Sequence, residues 1–146
     1  MFSDEYFMRM ALDEAHKAFD NDEVPVGAII VAGNKVIARA HNLVETLNDV
    51  TAHAEMQAIT SAASYLGGKY LTECTLYVTL EPCLMCACAL YWAQIARIVY
   101  GAADPKRGYS LLCPTSPLHP STVVTSGIFE KEAAVLISDF FKRKRK

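Results

Sequence analysis

Thr75-Leu76-Tyr77-Val78-Thr79-Leu80-Glu81-Pro82-Cys83-Leu84-Met85-Cys86 is the stretch on which the fold turns. Residues 75–80 are apolar, β-branched or aromatic, the composition of a buried strand. Pro82 suits the first position of a new helix, where its missing N–H costs nothing. The pattern predicts a helix from Cys83 to about Gln94, and Ile98-Val99-Tyr100 is the next short strand. Two strands joined through a helix run parallel. Cys83 and Cys86, three apart on that helix, point the same way.

Working outward, Tyr6, Phe7, Met10, Ala11, Ala15, Ala18 and Phe19 recur at helical spacing, with acids between them. They predict an amphipathic helix from Ser3 to about Asp20. Val26 to Val31 and Lys35 to Arg39 form a hairpin about the Gly33-Asn34 turn. The stretch from Ala40 to Val50 is polar and loop-like. Thr51 is placed to cap a helix running to about Leu66, which Gly67-Gly68 closes. Gly101 to Pro120 is a long loop, Thr122 to Thr125 a last strand, and Glu130 to Lys144 a closing helix. The expected architecture is one α/β domain over residues 1–146, a mixed five-stranded sheet covered by helices.

His53-Ala54-Glu55 stands at one predicted helix start and Cys83 at another. One imidazole and two thiolates make a zinc-type ligand set. Three protein ligands leave one tetrahedral position for water, the mark of a catalytic zinc (Zn2+) rather than a closed structural one. Both helix N-termini favour thiolates. Glu55, two residues from His53, is turned away from the ligand direction but stays close. It can take a proton from water and return it to a ring nitrogen and a leaving amine. The bland reading is buried thiols and a surface histidine, but core cysteines seldom arrive with the whole set. Cys88, two positions beyond Cys86, faces elsewhere and is expected to be packed.

The chain has 146 residues, 52% hydrophobic and 21% charged, with a net charge of -2. That excludes a disordered chain and a generally basic nucleic-acid binder. No uncharged run is long enough for a membrane span. The acidic start, Met1-Phe2-Ser3-Asp4-Glu5, is unlike a secretory signal, so a cytoplasmic location is expected. Five cysteines in such a chain favour metal binding or buried thiols over disulfides. Lys142 to Lys146 form a basic run, which suits either a solvated helix end or phosphate contact.

The His-x-Glu and Pro-Cys-x-x-Cys words together resemble the signature of the cytidine deaminase-like superfamily of zinc nucleobase deaminases. Glu23-Val24-Pro25-Val26-Gly27-Ala28 and Ser138-Asp139-Phe140-Phe141 with the basic run are similar to its tRNA-specific adenosine deaminase branch. The resemblance covers essentially the whole chain. It implies a three-layer α/β/α fold, zinc on His53, Cys83 and Cys86, and Glu55 as the proton carrier. It also implies conversion of a wobble adenosine to inosine in a tRNA anticodon stem-loop. Asn42 and the Ala54 backbone would then meet the base, and Pro25, Val26 and Leu80 would wall its pocket. Asp104 would lie near the preceding nucleotide, and Phe140 and Phe141 on the helix that meets the anticodon loop. Each has a duller alternative: Asn42 in a turn, and Val26, Leu80 and the two phenylalanines in the core. The chain departs from the branch at Ala103, where some members carry Arg, and across 107–122, where His119 touches RNA or is merely solvated.

From Pro82 to Ala96 there is no charged residue. A helix apolar all round must be buried on more than one side. The resemblance likewise implies a homodimer. Two other functions remain open. A free-base or nucleoside deaminase acting on guanine or cytosine shares the motif. A zinc-stabilised RNA-binding module shares the ligands but has no use for Glu55.

Overall fold

The computed structural model describes residues 2–145. In chain order the elements are α1 (Asp4–Asp20), β1 (Gly27–Ala32), β2 (Lys35–His41), α2 (Val44–Leu47), α3 (Ala54–Leu66), β3 (Cys74–Leu80), α4 (Leu84–Ala93), β4 (Arg97–Ala102), α5 (Tyr109–Leu112), β5 (Val123–Ser126) and α6 (Glu130–Lys144). The sheet order is β2-β1-β3-β4-β5. β1 is antiparallel to both β2 and β3, while β3, β4 and β5 are mutually parallel. β2 therefore runs the same way as β3 and β4. His41, Leu80 and Ala102, the last residues of these three strands, emerge at one end of the sheet. Ligands of open α/β sheets bind in crevices outside such strand ends.

Alternation along the strands sorts the core into two layers. Ala28, Ile30, Leu76, Val78 and Ile98 pack with Ala54, Ala58 and Ala62 of α3 and Ala87, Leu90 and Ala93 of α4. Ile29, Val31, Tyr77 and Val99 pack on the opposite face with Phe7, Met8 and Ala11 of α1. α6 joins that second layer through Ala133, which meets Leu12 of α1 and Ala102 of β4. The result is the expected three-layer α/β/α arrangement about a mixed five-stranded sheet. Gly27 permits its tightest contact: a Cβ there would lie 1.9 Å from the Ala11 carbonyl oxygen of α1.

Several boundaries differ from the sequence reading. The N-cap of α3 is His53, because Thr51 spends both its amide and its hydroxyl on Asp49. Pro82 precedes the N-cap Cys83 instead of opening the helix. Its carbonyl accepts from the Tyr109 amide and Cys83 bridges to Gly108, so this pair is held extended. Both expected loops contain a single helical turn, α2 and α5. Cys88 is exposed and not packed as expected. Leu84, Tyr91 and Trp92 share that exposure, Trp92 at 74%. No helix of the described residues is long and apolar enough to cross a membrane.

Candidate active site

His53 and Cys83 occupy equivalent places, each the extended residue before its helix. Neither side chain caps the helix it precedes. Both turn instead toward one point, which Cys86 reaches from the first turn of α4. His53 Nδ1 lies 3.6 Å from Cys83 Sγ and 3.5 Å from Cys86 Sγ. All three ligand atoms fall within 4.8 Å of one another. A tetrahedral zinc with bonds of about 2.3 Å to sulfur and about 2.05 Å to nitrogen separates those atoms by about 3.6 Å. The spacing therefore fits the ion, and so does the chemistry of the donors.

Charge in the cluster is poised for a cation. The Cys83 thiol is drawn down to about 4 by a hydrogen bond from Cys86, against the opposing effect of burial and with help from His53. Cys86 is pushed up by donating to Cys83 and by burial. His53 is raised by its contact with Cys83. A metal ion replaces the shared protons of such a cluster. Glu55 lies beside it, 4% exposed, and burial pushes its carboxyl up to about 7. A carboxyl near neutrality can both accept and return a proton.

These groups open into a cavity of about 1290 Å³ at the shared end of β2, β3 and β4. Val26, Asn42, Ala54, Leu80, Asp104, Phe140 and Phe141 all line it. Asn42 combines the two readings made from sequence. Its Oδ1 accepts from the Val44 amide at 3.2 Å, as in a turn, while no described group takes its Nδ2. Ala54 sits at the first position of α3, where a backbone N–H has no partner within the helix. Pro25 does not line the cavity. It is buried behind the wall, and its neighbour Val24 takes that place.

Asp104 turns its Oδ1 back on its own loop, accepting from the amides of Lys106 and Arg107. Phe140 is only 3% exposed and meets Phe19 edge-on, whereas Phe141 is 43% exposed. The basic end of α6 is partly engaged within the chain. Arg143 donates to the Phe19 carbonyl and to Asp22, and Lys144 donates to Asp22. Lys146 of the basic run lies outside the described residues. His119 bonds Ser121 within its own loop and faces Tyr91 of α4.

Sequence reasoning assigned no role to Glu23 and Glu81, although both stand inside the quoted words. They are 0% and 3% exposed, and each accepts three hydrogen bonds from a loop at the cavity rim. An acid beside Pro or Val in an apolar run was the available signal, since charge in such a place needs partners.

Comparison with known proteins agrees with this geometry. Residues 1–102 match the model of the cytidine and deoxycytidylate deaminase zinc-binding region. A tRNA-specific adenosine deaminase of Aquifex aeolicus is 47% identical, covering 97% of this chain and 95% of that protein. One from Bacillus subtilis is 46% identical, covering 100% and 93%. A solved structure from studies of A-to-I editing by tRNA:A34 deaminases at the wobble position superposes with a TM-score of 0.82. It is 47% identical and covers 90% of this chain and 98% of that one. With a zinc-spaced ligand triad, a buried carboxyl beside it and these relatives, the chain belongs to the cytidine and deoxycytidylate deaminase family, in the group of the tRNA-specific adenosine deaminases.

Proposed function

We propose that this enzyme hydrolytically deaminates adenosine to inosine at the wobble position of a tRNA anticodon loop. The observation that carries the reading is the ligand triad beside buried Glu55, at the floor of a groove that runs out to Phe141 and Lys144 of α6. About 1290 Å³ exceeds the usual 300–1,000 Å³ or so of a small-molecule pocket. It suits a base with its flanking nucleotides. A loop base is already unpaired, so bringing it to the site costs little unstacking.

Overall, a water oxygen bonds to C6 of adenine, the C6–N6 bond breaks, and ammonia leaves. His53, Cys83 and Cys86 would hold zinc, which when bound would supply the Lewis acidity that makes water a nucleophile near neutral pH. Glu55 takes one proton of the attacking water and gives it to the ring nitrogen N1, then takes the second from the new C6 hydroxyl and gives it to the departing amine. Asn42 Nδ2 and the Ala54 amide hold the base edge, Val26 and Leu80 its faces. Asp104, Phe140 and Phe141 border the flanking nucleotides, Phe140 from within the core.

The exposed Leu84, Tyr91 and Trp92 of α4 support a second copy of the chain on that face. The protein acts as a homodimer in the cytoplasm, with residues 1–146 as one domain. Incubation with an adenosine-bearing anticodon stem-loop, adenosine, guanine and cytosine in parallel tests the substrate. Inosine forms in the stem-loop. Consumption of guanine or cytosine with an untouched stem-loop would refute the reading. Light scattering at micromolar concentration should give the dimer mass.

A further inference from the structure

The two one-turn helices at the groove rim share a defect and share its remedy. The N-cap of α2 is Leu43 and that of α5 is Gly108, and neither offers a side-chain acceptor. Their first amides would be left without partners. Asn42 Oδ1 takes the Val44 amide and the Pro82 carbonyl takes that of Tyr109, and a distant glutamate takes the amides that follow in each case. Glu23 Oε1 accepts from the Glu45 amide at 3.0 Å, and its Oε2 accepts from the Thr46 amide and hydroxyl, both at 2.6 Å. Glu81 Oε1 accepts from the Asp104 amide at 3.1 Å. Its Oε2 accepts from the Ser110 amide at 3.0 Å and hydroxyl at 2.5 Å.

Burial alone would raise the Glu23 carboxyl, but the Thr46 hydroxyl and the two amides prevail and hold it below its ordinary range. Gly108 makes room for the second clamp, since a Cβ there would lie 2.3 Å from Glu81 Oε1. The clamped segments leave β2 and β4, on either side of β3 in the sheet. Each contributes residues to the cavity wall, Glu45 and Thr46 on one side, Asp104 and Arg107 on the other. The second clamp is continuous with a metal ligand, through Pro82 and the Cys83–Gly108 bridge.

We propose that Glu23 and Glu81 are paired positioning residues, each fastening one rim segment so that together they set the opening through which the RNA loop reaches Glu55. The proposal rests on the RNA reading above. Neither acid exchanges a proton with substrate. Their effect falls on how well the loop is held, and so on KM more than on kcat.

Glutamine at either position keeps the shape but turns an N–H toward amide donors. Glu81→Gln should raise KM for the stem-loop about tenfold, the range of one charge-assisted hydrogen bond, with a smaller change in kcat and wild-type zinc content. Amide hydrogen exchange should quicken at residues 103–112 in Glu81→Gln and at 43–48 in Glu23→Gln, each without the other. Ser110→Ala and Thr46→Val remove one donor from each clamp. They should show the same pattern more weakly, and they decide the matter if the glutamine variants do not fold. Unchanged exchange, or quickened exchange with KM unaltered, would overturn the proposal. A wild-type chain inert on the stem-loop would refute the substrate reading alone, because the exchange contrast is read without substrate.

Discussion

Replacing Gly27 by Ala should destabilise this fold by about 3 kcal/mol, the upper end of the usual overpacking range. The added Cβ would lie 1.9 Å from the Ala11 carbonyl oxygen, 2.5 Å from the Ala15 nitrogen and 2.9 Å from Glu14 Cβ. Two of these obstacles are helix backbone, which no rotamer change relieves. A carbon–oxygen contact needs about 3.3 Å, so α1 must withdraw from β1 by roughly 1 Å or more. A gap of about 0.5–1 Å already forfeits a quarter to a half of each dispersion contact. The helix that would lose them buries Phe7, Met8, Ala11, Leu12, Ala15 and Ala18. At about 2–4 °C per kcal/mol, Tm should fall by roughly 6–12 °C. Urea unfolding followed by circular dichroism, at fixed protein concentration, gives the free energy. Gly68→Ala is the control, since a Cβ at Gly68 meets nothing within 4 Å. A Gly27→Ala protein within about 1 kcal/mol of wild type, or a control that falls as far, would show the packing argument wrong.

Glu55→Gln should retain zinc and lose turnover by roughly 10²–10⁴-fold, as removal of a proton carrier does; single-turnover inosine formation beside metal analysis checks both halves. Cys83→Ser should lose metal and activity together, measured as zinc per chain after dialysis. Asp4 accepts two hydrogen bonds from Arg97 and one from the Tyr77 hydroxyl, and the Arg97 bond above all lowers its pKa below 3.8. A lowered carboxyl pKa stabilises the fold above the unfolded value, and that contribution disappears as pH falls through the folded one. Wild type should therefore exceed Asp4→Asn in stability at neutral pH, by about 1.5–3 kcal/mol for a part-buried charged pair. The difference should shrink below about pH 3.8; denaturant midpoints at pH 7 and pH 3 provide the comparison.

Much of the centre was legible because its signals are local. A His-x-Glu word and a Pro-Cys-x-x-Cys word each name side chains that a helix start aims in a definite direction. The strands were legible for the same reason, as periodicity is a property of neighbouring residues. The errors fall where partners are remote in sequence. Thr51 looked like a cap by residue type, but Asp49 claimed its hydroxyl and left His53 to open α3. Segments 40–50 and 101–120 read as loops because nothing within them favours helix. The helical turns there are completed by Glu23, from 22 positions away, and Glu81, from 29.

By itself, the sequence determined which side chains can hold a metal, which acid stands two residues from the histidine among them, and which faces of each helix and strand are apolar. Those properties reside in residue type and short-range spacing. Tertiary structure alone decided that His53 and the two cysteines stand at zinc distance, that Glu55 is desolvated to a pKa near 7, and that Val24 instead of Pro25 meets the cavity. It also decided that Phe140 is core while Phe141 is surface. Each of these depends on how segments distant in sequence close around one another, and that closure sets the burial, the dielectric and the hydrogen-bond partners of every group in the site.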